Sequence, residues 1–414
     1  MDIVDFDLTD SELVRDGFPH ELFSRIRSEA PVVWHPTAEG FIENDDKGFW
    51  ILSKYEDIQT ANRDPELFSA TDGPALTHNP EITGAMLVAM DGKAHQRQRK
   101  LISAGFTPRM IGRLETQART WASSIIDRAL ELETCNFVHD VAYQLPMHMI
   151  ADIVGIPVED REHLFNLTIE FLLAGSPDGD VTLDRHMDVR VELFQYAQKL
   201  GQMKLSNPRD DIWTILSTVE IETDEGERVK LSQIELDMFF LLLTLAGSET
   251  TRNAISSGLL ALLDHPEQLE VLRNQPSALP SAVEEILRWS SPVAYFARRA
   301  TRDTEIRGRS IAKGERITLW YPSANRDEDV FDDPFSFDIS RKPNHHLAFG
   351  GGGPHFCLGA NLARREIAIL FEELLSRVGG IEVVGDPVHT PLGLHNPIMV
   401  APTDIPVRLT PSGA

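Results

Sequence analysis

The stretch from Ser232 to Leu263 constrains this chain more than any other. It opens with SQIE, so Ser232 can cap a helix while Glu235 reaches back three residues to the first free backbone groups. It then runs without proline until Asp264-His265-Pro266, where the proline ring forbids continuation. About 31 residues at 1.5 Å each make a rod of roughly 46 Å, about three times the usual helix length. Its first half is apolar nearly all round, which excludes a surface position. The fold must be built around it.

Helical spacing of apolar residues recurs near 20–29, 55–63, 93–103, 108–131, 140–154, 186–205, 280–289 and 359–377. Strand-like runs are short and sit near 49–52, 304–312, 316–320 and 395–409. Proline and glycine clusters at 72–84, 174–180 and 341–354 mark loops. With no internal repeat and no low-complexity linker, the reading is one domain over residues 1–414, mainly α with a small β region. The longest apolar run, MFFLLLTLAG (238–247), is too short for a membrane span. The acidic start MDIVDFDLTD is unlike a signal peptide, and two cysteines cannot build a disulfide framework. A soluble, cytoplasmic protein is expected. The net charge of −25 argues against nucleic acid, which needs a basic face. Cations gather in two places only: KAHQRQRK (93–100) and ARRE (363–366).

Three constellations carry chemistry. In the centre of the rod, AGSETTR (246–252) puts a glycine that costs about 1 kcal/mol against alanine beside Glu249 and Thr250. Thr250 can bond back to the Ala246 carbonyl and bend the helix. This is either a close helix crossing or a local opening with an acid and a hydroxyl placed to move protons. EEILRW (284–289) sets Glu285 and Arg288 at i, i+3 and leads toward the arginine-rich run AYFARRA. The third, HLAFGGGGPHFCLGANLARREI (346–367), places Cys357 between a glycine run and a helix, where the helix N-terminus favours a thiolate. Zinc would want three or four ligands at closer spacing, and a phosphate loop would end in GK[ST]. Three roles remain for Cys357: a nucleophile with His355 as base, a small buried hydrophobe, or a single thiolate ligand to a haem iron.

In that combination the chain resembles the cytochrome P450 monooxygenases, in particular their soluble bacterial members. FGGGGPHFCLG is similar to their haem-binding loop, AGSETT to their oxygen-activating central helix and EILR to their Glu-x-x-Arg helix. HQRQR (95–99) and NRDEDVFDDPFSFDISR (325–341) resemble their early haem-facing helix and their meander, so the likeness covers essentially the whole chain. The resemblance implies a long central helix crossing haem b, with Cys357 as axial thiolate and Gly359 letting the next helix approach the ring. His95, Arg99, Arg298 and His355 would neutralise the propionates, and Phe349 and Ala246 would flank the cofactor. Thr250 and Glu249 would support proton delivery, and Glu285 and Arg288 would lock the core to the meander. Leu243, Gly247, Val293 and Phe296 would line the substrate pocket, with further walls from 74–89, 166–200 and 395–400. One departure stands out: the family's phenylalanine lies seven residues before the cysteine, whereas here Gly350 holds that place and Phe349 lies eight before.

The resemblance implies a monooxygenase that inserts one atom of O2 into an unactivated C–H bond of a hydrophobic small molecule. Without a flavin or dinucleotide motif, electrons are expected from a ferredoxin and its reductase, docked on segments 93–100 and 363–366. AGSETTRNAI, TLWYPSANRDE and HFCLGANLARREI look most like the members that hydroxylate methyl-branched lipids and sterol side chains. Terpenoid or linear fatty-acid hydroxylation is the alternative, and a non-catalytic haem-thiolate sensor a more distant one.

Overall fold

The computed structural model describes residues 6–37, 47–76, 82–106, 108–173, 182–209, 211–222, 226–392 and 398–413. The rod is a helix from Gln233 to Asp264, 32 residues long, and its start carries the full capping box. The Ser232 side chain accepts from the Glu235 N–H while Glu235 Oε2 accepts from the Ser232 N–H at 2.8 Å. Helices Gln144–Val154, Leu183–Ser206, Leu279–Ser290 and Ala360–Arg377 all pack on it. Two of its glycines mark the closest crossings. A Cβ at Gly247 would stand 2.3 Å from Ile150 Cδ1, and one at Gly258 would stand 2.7 Å from Ile286 Cγ2. The largest hydrophobic cluster forms around this helix and includes Phe240, Leu259, Ile286 and Phe371.

The β region lies to one side. Its main sheet has the strand order Val32–Pro36, Gly48–Leu52, Arg316–Trp320, Tyr295–Ala300, Phe68–Ser69. All neighbours are antiparallel except Gly48–Leu52 with Arg316–Trp320. Side chains alternate across a strand, so Phe296 and Arg298 share one face and the fully buried Tyr295 takes the other.

The architecture is mainly α with a small β region, and several boundaries differ from expectation for local reasons. The run 304–312 is two strands, Thr304–Ile306 and Arg309–Ile311, because Arg307 and Gly308 turn the chain at positive φ. The run expected at 395–409 divides between two sheets, at Met399–Asp404 and Pro406–Pro411, and residues 395–397 lie outside the described set. The segment 140–154 begins as a π-turn, Phe137–Ala142, before the α-helix starts at Gln144. Among the described residues four α-helices escaped the pattern: Val158–Leu173, Ile212–Thr218, Pro266–Asn274 and the short Tyr321–Ala324. The loop expected at 174–180 also falls outside the described residues.

The helix Leu279–Ser290 holds the far side of the core through one carboxylate. Glu285 is completely buried and accepts from Arg288 through both oxygens, at 2.7 and 2.8 Å. It also accepts from Arg341 at 3.2 Å, Asn344 at 3.0 Å and the Asp338 N–H at 2.9 Å. Arg288 then donates to the carbonyls of Asn325, Pro334 and Ser336. Two side chains thus fasten the irregular segment 325–344 to the helical core. Glu285→Ala strands a buried guanidinium, which costs about 3–5 kcal/mol. A large fall in Tm and in folded yield is expected. A melting curve unchanged from the parent would contradict the hub.

Candidate active site

Of the two cysteines, Cys135 sits in a short strand paired with Val407, where burial, with help from Asp140, pushes its thiol up to about 11. It stays a neutral, inert thiol. Cys357 precedes the helix Ala360–Arg377 at the end of a loop whose Gly350, Gly351, Gly352 and Gly353 all have positive φ. At Gly353 the requirement is twofold: φ is +79°, and a Cβ would stand 2.3 Å from the Asn62 carbonyl oxygen. Four consecutive residues in this region explain the glycine run.

The extra loop residue is absorbed without disturbing the cysteine. The Cys357 N–H donates to the Phe349 carbonyl at 3.1 Å, the Gly350 N–H to Leu347 and the Phe356 N–H to Gly353. Solvent reaches part of Cys357, yet its sulfur is ringed by protein, so burial raises the thiol pKa as the largest influence. The Gly359 N–H, the charges of Arg99 and Arg364, and the Ala360 N–H oppose it. These groups all favour a thiolate once a cation shares the site. A Cβ at Gly359 would meet only the Cys357 sulfur, at 3.9 Å, so the glycine keeps the surface beside the sulfur flat.

The expected propionate partners converge next to this loop. His95 and His355 stand with ring centroids 4.4 Å apart. His355 Nε2 bonds Asp91 at 2.8 Å, and the Asp91 charge is felt by both His95 and Arg298. Burial, then the charges of His355 and Arg99, pulls the His95 imidazole down to about 4, so it is neutral at neutral pH. Its Nε2 is buried with no partner among the described residues. Arg298 is buried and, among the described residues, donates to the Ala297 carbonyl at 2.8 Å and Asn62 Oδ1 at 3.4 Å. A buried guanidinium without a carboxylate and an imidazole nitrogen without an acceptor fit an anionic ligand. Arg99 is partly engaged, donating to the Phe356 carbonyl at 2.6 Å. Asp91 was not singled out in the sequence; its one signal was its place just before the HQRQR helix.

On the central helix, Leu243, Ala246, Gly247 and Thr250 follow i, i+3, i+4, i+7 spacing and none of them is fully buried, Ala246 being exposed. Thr250 Oγ1 donates to the Ala246 carbonyl at 2.7 Å. Glu249 points elsewhere. It is buried, 2.7 Å from Arg252 in an ion pair, and burial raises its pKa against that pairing. Gly247 serves the crossing with Ile150 as well as the helix face. Leu243 belongs to the helical cluster, whereas Val293 and Phe296 pack on the cluster beside the sheet. The strand Met399–Asp404 lies against the central helix. Residues 77–81, 174–181 and 395–397 of the expected pocket walls lie outside the described set.

The basic segments are less free than their sequence suggests. Arg97 pairs with Glu235, and Arg364 is held by Glu284 at 2.6 and 2.9 Å. Lys100 is exposed, and Arg365 keeps 63% of its side chain in solvent, 3.7 Å from Glu115.

Residues 45–379 match the family model for cytochrome P450. The chain belongs to the cytochrome P450 family. The methyl-branched lipid omega-hydroxylase of Mycobacterium tuberculosis is 42% identical over 90% of this P450 and 87% of that protein. The steroid C26-monooxygenase of Rhodococcus jostii is 37% identical over 92% and 81%. A cytochrome P450 of Mycobacterium marinum, solved with pseudoionone, superposes with a TM-score of 0.85 at 36% identity over 94% of both chains. The P450 is therefore a monooxygenase of the haem-thiolate type, with cysteine-ligated haem b as its cofactor. None of its described helices is long and apolar enough to cross a membrane.

Proposed function

We propose that Cys357 provides the thiolate ligand of haem b and that residues 1–414 act as one monooxygenase domain. The substrate we infer is a methyl-branched lipid or a sterol side chain, hydroxylated at or near its terminus. The observation that carries the assignment is the buried pair of His95, with its unpartnered Nε2, and Arg298 beside the Cys357 loop. The haem, so held, supplies the O2 chemistry, with the thiolate's electron density favouring O–O cleavage. The chain's own residues supply the rest.

His95, Arg99, Arg298 and His355 hold the propionates, with His355 fixed by Asp91. Phe349 and Gly359 would flank the haem beside Cys357, and Ala246 and Thr250 would meet it from the central helix. Thr250 holds a proton at Oγ1 in its bond to the Ala246 carbonyl and would be the residue to release it in the pocket. Glu249, its pKa raised by burial, is a proton store one residue away, restrained by Arg252. Leu243, Gly247, Val293 and Phe296 give the pocket apolar walls that keep water from the reacting carbon.

The names of the two hydroxylase relatives support the lipid or sterol reading. The pseudoionone of the M. marinum structure keeps a terpenoid in view as the second substrate class. A ferredoxin, reduced by its reductase in the cytoplasm, is the electron donor of this reading. It would meet the exposed Lys100 and Arg365 rather than Arg364, whose charge is already paired.

Binding titrations with sterols, branched lipids and terpenoids, read by the haem spin-state shift and followed by product analysis, test the function. Terminally hydroxylated product from a sterol or branched chain is expected. Ligand binding without product from any class, under surrogate electron donors, would favour a sensor. Thr250→Ala should keep its haem but lose product roughly 10²-fold, with electrons diverted to hydrogen peroxide. Full coupling in that variant removes the proton role. Charge reversal at Lys100 and Arg365 should slow ferredoxin-driven turnover and flatten its salt dependence. Parent-like rate and salt dependence would displace the docking face.

A further inference from the structure

The site leaves one side-chain cluster unused, on the thiolate side. Arg364 lies on the first turns of the helix that follows Cys357, and its guanidinium carbon stands 4.5 Å from the centre of the Phe349 ring. The same guanidinium donates through two nitrogens to Glu284, at 2.6 and 2.9 Å. Glu284 also receives His346 Nε2 at 3.1 Å. The Ala348 N–H donates to His346 Nδ1 at 3.3 Å, which leaves the ring hydrogen on Nε2, aimed at the carboxylate. His346 is 2% exposed at its side chain and 6.0 Å from the Phe349 ring. Phe349 in turn accepts the Cys357 N–H through its carbonyl.

We propose that Glu284, His346 and Arg364 form a clamp that pins the Phe349 ring against the cysteine loop and so sets the electron-donating strength of the Cys357 sulfur. Arg364 is a positioning residue in this scheme, acting through Phe349. A planar guanidinium can stack on a ring and bridge a carboxylate at once, which a lysine cannot. Burial pulls Glu284 upward, but the bonds from His346 and Arg364 hold it down at about 2. Glu284 therefore keeps its charge at neutral pH. The Arg364 charge also reaches the Cys357 sulfur directly. A stack held from two sides fits the longer loop: with Phe349 eight residues before the cysteine, the ring needs support from outside the loop.

The inference rests on Cys357 being the iron ligand, so the test measures the loaded protein without turnover. The reduction potential of the haem is titrated in the parent, Arg364→Lys, Glu284→Gln, Phe349→Ala and Phe349→Ala/Arg364→Lys. Arg408→Lys, in a remote exposed pair with Glu382, is the control. Arg364→Lys and Glu284→Gln are expected to shift the potential although the first keeps its charge, and Arg364→Lys should add nothing once Phe349 is alanine. Glu284→Gln carries the test alone if the lysine variant fails to load haem. Parent-like potentials in both single variants, or an Arg364→Lys shift that persists in the Phe349→Ala background, would overturn the clamp. A parent whose reduced CO complex lacks the thiolate signature would instead overturn the ligand assignment beneath it.

Discussion

One buried carboxylate, Glu285, is the tie on which the rest of this structure depends. It accepts from Arg288, Arg341, Asn344 and a backbone N–H while completely out of water. A carboxylate in that position is tolerable only because every partner is in place. Its chain neighbour, Glu284, leaves the same helix in a different direction and reaches Arg364 and His346. Successive residues on a helix do not share a face, so two adjacent glutamates serve two loops. One anchors the segment 325–344, and the other anchors the cysteine loop and the helix behind it.

The electrostatics around the candidate site run against the molecule's overall charge. The chain carries a net −25, yet His95, Arg99, Arg298 and His355 collect beside Cys357, with the half-buried Asp91 bonded through its carboxylate to His355 alone of the four. Desolvation disfavours Arg298 and His95 in their charged forms, so the arrangement is costly in the protein alone. In the proposed site a bound dianion would offset that cost. Glu249 shows the opposite balance. Its carboxyl is buried beside Arg252, and desolvation raises its pKa against that pairing.

Much of the fold was legible because its signals are local. The Ser232–Glu235 capping box, the apolar rod and the proline at its end lie within one stretch of chain, and the helix bounds follow them closely. The glycine run before Cys357 reads directly as backbone at positive φ. The partners of the site residues were not legible, because they come from far along the chain. Asp91 meets His355 across 264 positions, and Glu284 meets Arg364 across 80. The pairing of Arg364 with Glu284 was hidden for the same reason: charge in a short basic motif says nothing about a carboxylate on another helix. The short strands Val32–Pro36 and Val378–Val383 were missed because their apolar pattern is set by neighbours in the sheet rather than by their own sequence.

The central claim is that Cys357, and not Cys135, is the ligand on which the site is built. The absorption spectrum of the reduced, CO-bound protein tests it most directly, measured in parallel for Cys135→Ser and Cys357→Ser. The account predicts the long-wavelength thiolate band in the parent and in Cys135→Ser, and its loss in Cys357→Ser. A parent band in the region of histidine-ligated haem, or a thiolate band that survives Cys357→Ser, would contradict it.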